Sequence, residues 1–139
     1  IIMSVERGDT VRSIHIDGAA PLTSQPHTAL GYSVGHWSGA MLTVETTHLA
    51  GGVMFAAEGH PISQEARVTE RYWREPGESH LQMELVVDDP VNYTQPILFA
   101  REWAWSPDEQ VRPYDCVSLE LEESEAVDID ELMRRLEQL

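Results

Sequence analysis

The chain contains no lysine. All 9 of its basic residues are arginines, set against 24 acids, for a net charge of −15. Without lysine there is no Schiff-base chemistry, no lysine-linked pyridoxal phosphate and no P-loop. A polyanion of this size repels phosphate backbones and anionic lipid surfaces, which speaks against nucleic-acid binding and membrane attachment. Cysteine is nearly absent as well. Cys116 stands alone, so no intramolecular disulfide can form, and it reads as a small packed side chain with nothing nearby to lower its pKa. No run approaches the ~18 apolar residues of a membrane span. The chain opens Ile1-Ile2-Met3 with no signal-peptide pattern and reads as a trimmed product, with its localisation left open.

What is present is alternation. Apolar and polar residues exchange at period 2 over 1–6, 11–17, 32–37, 41–49, 65–74, 80–88, 96–105 and 114–122. Asp17-Gly18, Ser38-Gly39, Glu75-Pro76-Gly77-Glu78 and Ser106-Pro107-Asp108 punctuate these segments as turns. The pattern predicts one all-β domain over 1–139, an antiparallel up-and-down barrel or half-barrel spanning 1–123, because open sheet edges favour closure. Residues 124–139 read as an acidic linker followed by a short C-terminal α-helix. Ile129, Leu132, Met133 and Leu136 form its apolar stripe. The stripe is assigned to docking on the chain's own barrel, with a homodimer contact as the alternative. Residues 108–139 hold 11 acids and 3 arginines, so over half the net charge sits in the last quarter.

Gly31-Tyr32-Ser33-Val34-Gly35 spells the nucleophile-elbow motif, but the strand-to-helix context that an elbow requires is missing, and Ser33 reads as a strand serine held by its neighbours. Six histidines raise the question of a metal, yet none has the spacing of a known ligand set, and neither a metal nor another cofactor is expected.

Charges on apolar strand faces carry more information. Glu70 shares a face with Ala66, Val68 and Tyr72, and Arg101 shares one with Ile97, Phe99, Trp103 and Trp105. If those faces point inward, both charges are interior and must be paired. His48 extends the face of Leu42, Val44 and Thr46, while Trp37, beside a glycine-rich turn, suits a cavity mouth.

These residues sit within an ordered series of short motifs. Arg12, Ile16-Asp17-Gly18 and Gly31-Tyr32-Ser33-Val34-Gly35-His36-Trp37 are followed by Gly59-His60-Pro61-Ile62-Ser63, Val68-Thr69-Glu70-Arg71-Tyr72 and Asp89-Pro90-Val91-Asn92-Tyr93-Thr94-Gln95-Pro96. In this order they resemble an uncharacterised family of bacterial β-rich proteins, over residues 10–118. The resemblance implies a lipocalin-like or calycin-like architecture, brings no established reaction, and draws attention to Ser33, Trp37, His60, Glu70, Arg71 and Tyr93. Family members usually carry Glu-Gly-Asp-Thr-Leu after the tryptophan, where this chain has Ser38-Gly39-Ala40-Met41-Leu42.

The expectation is a cofactor-free acid/base enzyme of isomerase, cyclase, lyase or hydrolase type, acting on a small, partly apolar molecule inside the barrel. Glu70 is the proton carrier, with His48 or His60 as its partner. Arg101 and Arg71 are placed to orient an oxyanion, and Trp37, Tyr72 and Trp103 form the walls. The alternative is a lipocalin-like carrier with the same cavity and no chemistry. The separating feature is the pairing inside: Glu70 and Arg101 bound only to each other speak for carriage or plain structure, an unpaired carboxylate facing a histidine for catalysis.

Overall fold

The computed structural model describes residues 1–6, 9–18, 21–54 and 59–113. The described residues fold as β1 (Ile2–Val5), β2 (Thr10–Ile16), β3 (Tyr32–Ser38), β4 (Met41–Thr47), β5 (Gly52–Met54), β6 (His60–Ile62), β7 (Arg67–Trp73), β8 (His80–Asp88) and β9 (Ile97–Ala104). Seven of these strands form one sheet in the order β1-β2-β3-β4-β7-β8-β9, curled into a half-barrel, and β5 pairs only with β6. The predicted strand at 114–122, the acidic linker and the C-terminal helix lie outside the described residues. Among the described residues no helix is long and apolar enough to cross a membrane.

The order departs from an up-and-down meander at one place. β2 and β3 run parallel, with Ile14 opposite Ser33 and Ile16 opposite Gly35, while the other pairings in the sheet are antiparallel. A tight turn cannot join parallel neighbours, so β3 starts back at the end of the sheet where β2 begins. Alternation along a strand reports which side chains share a face, not which way its neighbour runs.

Alternation also explains the core. Ile14, Leu42, Val44, Val68, Tyr72, Met83, Leu85 and Val87 occupy every second position of their strands and are buried on the concave face. Polar partners alternate with them on the convex face, where Arg67 meets Glu45 at 3.3 Å and Arg71 faces Glu84 at 3.8 Å. The β5–β6 hairpin supplies Val53 and Ile62 to the concave side. Asp89, 1% exposed at the end of β8, holds it there. Its carboxylate accepts from the Ser63 amide and hydroxyl at 2.7 Å each, from the Val91 amide at 3.2 Å and from the Asn92 side chain at 2.8 Å. The Tyr93 hydroxyl donates to the Pro61 carbonyl at 2.7 Å. The segments 59–63 and 89–96, singled out above as motifs, thus form one structural joint.

Candidate functional site

Beneath the hairpin, the concave face holds a cavity of about 350 Å³, lined by Leu30, Leu49, Val53, Val68 and Leu85 around Arg12, Thr46 and Glu70. Strand parity places each polar group. Thr46 and Glu70 fall in the inward series of β4 and β7, and Arg12 alternates with the inward Ile14 and Ile16 of β2.

Arg12 lies across two strands to reach Glu70. Its Nε donates to Ser33 Oγ at 2.9 Å on β3, and Nη2 donates to Thr46 Oγ1 at 2.6 Å on β4. Nη1 and Nη2 then meet Glu70 Oε1 and Oε2 at 3.0 and 2.5 Å. Tyr72 donates its hydroxyl to Glu70 Oε1 at 2.7 Å, and the Ser33 and Thr46 hydroxyls are 2.9 Å apart. The Glu70 side chain is only 6% exposed and that of Arg12 16%, so the pair is largely withdrawn from water. Burial alone would lower the pKa of Arg12, but the hydrogen bond and charge of Glu70 outweigh it and the net shift is upward. The Tyr72 phenol is pushed above its ordinary range, first by burial and then by the neighbouring Glu70 charge.

This network accounts for Gly31-Tyr32-Ser33-Val34-Gly35. Ser33 is bound to Arg12 and Thr46, not to a histidine. Gly31 has φ +65°, and a Cβ there would sit 2.5 Å from the Thr47 carbonyl oxygen; one on Gly35 would strike Ile14 and Ile16 at 2.9 Å. Gly31 answers to its left-handed backbone and the Thr47 carbonyl, Gly35 to the packed side chains of β2 and β4, and no helix follows to make an elbow.

Other predicted site residues lie elsewhere. Arg101, expected inside and paired with Glu70, is exposed on β9, where among the described residues it donates to the Ala100 carbonyl alone, at 3.5 Å. It has the inward parity of its neighbour Met83, but β9 ends the sheet and nothing described covers its far end. Arg12 holds the place predicted for it. Arg71 points to the convex face opposite Glu70, as alternation requires.

His48 does not extend the inward face of β4. The strand ends at Thr47, and His48 takes φ +58°, which breaks the alternation. Its ring lies 5.1 Å from that of His27 in a convex-side cleft of about 520 Å³, away from Glu70. His60 on β6 sets its ring edge-on to Phe99 at 5.9 Å, and its Nδ1 is buried without a hydrogen-bond partner among the described residues. Trp37 and Trp103 are 55% and 46% exposed and line a different cleft. Tyr72 stands between the two, its hydroxyl on Glu70 and its ring bordering the tryptophans.

The residue that sequence reasoning missed as the interior partner is Arg12. Its signal was available in the alternation Arg12, Ile14, Ile16. Among the described residues no group of three or more His, Cys, Asp or Glu side chains is placed to hold a metal ion. No family model, curated protein or solved structure matches the chain.

Proposed function

We propose that this chain is a small-molecule binding protein that holds an uncharged, largely apolar ligand in the concave cavity, as a lipocalin-like or calycin-like carrier does. One observation carries the reading. The charges lining the cavity cancel, because Arg12 and Glu70 bind each other through two hydrogen bonds, and the remaining walls are mostly apolar. An ionic ligand would have to break that pair, whereas a neutral one leaves it intact. Arginine has five N–H donors, of which four are engaged with Ser33, Thr46 and Glu70. The remaining Nη1 donor suits a single carbonyl, ether or hydroxyl oxygen on an otherwise apolar molecule. A cavity of about 350 Å³ falls at the small end of ligand sites, which run from about 300 to 1,000 Å³.

Acid/base catalysis at Glu70 receives less support. Its oxygens already accept from Arg12 and Tyr72, and the expected proton partners His48 and His60 bond or pack elsewhere. The test is titration with N-phenyl-1-naphthylamine, an uncharged fluorophore. The reading predicts saturable binding of one probe per chain, with Kd on the order of micromolar. Ala29→Trp, at the exposed rim of the cavity, is expected to abolish it. Equal binding by that variant, or none by the native chain, overturns the proposal.

A further inference from the structure

All 4 tryptophans of the chain line one cleft. Trp37 comes from β3, Trp73 from the end of β7, Trp103 from β9 and Trp105 from just beyond it, and they enclose about 390 Å³ together with Arg74 and Ser79. The sheet brings them together from positions up to 68 residues apart. Trp103 sits opposite Leu81 in register on β8, and Trp37 lies in the row that runs through Leu42 and Tyr72 to Met83. Trp37, Trp103 and Trp105 are 55%, 46% and 74% exposed. Three large indoles left this open around one cleft make an apolar surface of the kind that marks a binding site.

We infer that this cleft is a second binding site, taking an uncharged oligosaccharide whose pyranose rings stack on the indoles. Openness points to that class. An alkyl chain gains most from full enclosure, whereas a pyranose presents one apolar C–H face to an aromatic ring and keeps its hydroxyls in water. The polar groups point the same way. The Nε1 donors of Trp37, Trp103 and Trp105 and the guanidinium of Arg74 have no hydrogen-bond partner among the described residues, and they offer N–H groups to hydroxyl oxygens. Trp73 is fixed instead, its Nε1 donating to Glu75 Oε1 at 3.2 Å. A net charge of −15 disfavours acidic glycans and nucleobase-bearing polyanions, which leaves neutral sugars. The site is independent of the Arg12–Glu70 cavity, with the ring of Tyr72 between them.

Because every tryptophan lies in the cleft, intrinsic fluorescence reports on it directly. Titrating the full chain with cellohexaose, chitohexaose and maltohexaose is expected to give a saturable change and a blue shift with at least one of them, with Kd between about 1 μM and 1 mM. Added salt should leave that affinity unchanged. Trp103→Ala is expected to weaken binding at least tenfold and Trp103→Phe to restore part of it, with unchanged far-ultraviolet circular dichroism. Ala29→Trp, which blocks only the other cavity and adds a fifth tryptophan there, should bind the sugar as the native chain does when both are compared by calorimetry. No saturable response to any of the three sugars at about 10 mM overturns the inference. So does native affinity in Trp103→Ala, or a dimer in sedimentation that dissociates in that variant, because a second copy would then be the occupant.

Discussion

Glu70 on β7 and Arg12 on β2 stand 58 positions apart in the chain, with β3 and β4 between them in the sheet, yet they meet through two side-by-side hydrogen bonds. The guanidinium bridges the gap by lying over Ser33 and Thr46, so four strands are tied by one side chain. A buried pair of this kind contributes little over an apolar replacement, but losing one partner strands the other. Glu70→Gln is therefore expected to lower stability by about 3 kcal/mol in urea unfolding at pH 7. The double variant Arg12→Met with Glu70→Leu should cost far less than the two single changes summed. Additive losses across that cycle would show that the pair is not coupled.

Asp89 gives the fold an acid-sensitive joint. Burial alone would raise its pKa, but bonds from Ser63, Asn92 and Val91 outweigh it and hold the value at about 2. The folded pKa lies below the unfolded value of ~3.9, so the stabilisation is complete above pH ~4 and is lost as the pH falls through about 2. Asp89→Asn should cost about 2 kcal/mol at pH 7, and the difference from the native chain should close between pH ~4 and ~2. Stability curves measured across that range check it. A constant gap down to pH ~2 would contradict the assignment.

Tyr72 works in the opposite direction on the pH scale. Its raised pKa means that the folded state keeps a proton that the unfolded state releases above pH ~10, so stability falls as the pH rises beyond that point. In a 295 nm titration of the native chain, one tyrosine should resist ionisation until the protein unfolds. Tyr72→Phe should remove that feature and cost about 1 kcal/mol through the lost bond to Glu70.

Two glycines with similar backbone angles separate strain from collision. Gly31 (φ +65°) has the Thr47 carbonyl oxygen 2.5 Å from the site of a Cβ, whereas Gly39 (φ +59°) has nothing within 4 Å. Gly39→Ala should cost only the left-handed penalty of about 1 kcal/mol. Gly31→Ala should cost clearly more, about 3 kcal/mol, because the β3–β4 edge beneath the cavity has to shift. Thermal unfolding of the two variants side by side measures the difference.

Strand positions were legible because alternation survives in a sheet with one buried face. Segment 80–88 coincides with β8, and 65–74 contains β7 with Glu70 and Tyr72 inward as read. Depth and neighbour order were not legible. Arg101 has inward parity but stands on the last strand of the described sheet, where parity does not ensure cover. Arg12 has the same parity, and only the parallel β2–β3 step brings it within reach of Glu70. His48 was misplaced by a single left-handed residue, which no periodic reading anticipates. β5 and β6, at three residues each and containing Gly52 and Pro61, are too short to show a period.

The central claim is that an uncharged ligand enters the concave cavity and meets Arg12 while the Arg12–Glu70 pair stays closed. Its most direct test is a ¹H–¹⁵N NMR titration with N-phenyl-1-naphthylamine that follows both the backbone amides and the Arg12 Nε–H. The account predicts saturable shifts at one probe per chain, confined to Arg12, Thr46, Leu49, Val68 and Leu85, with the Nε–H signal still protected from solvent exchange. Shifts confined to the convex cleft around His27, His48 and Arg67, or no saturable shifts at all, would contradict it.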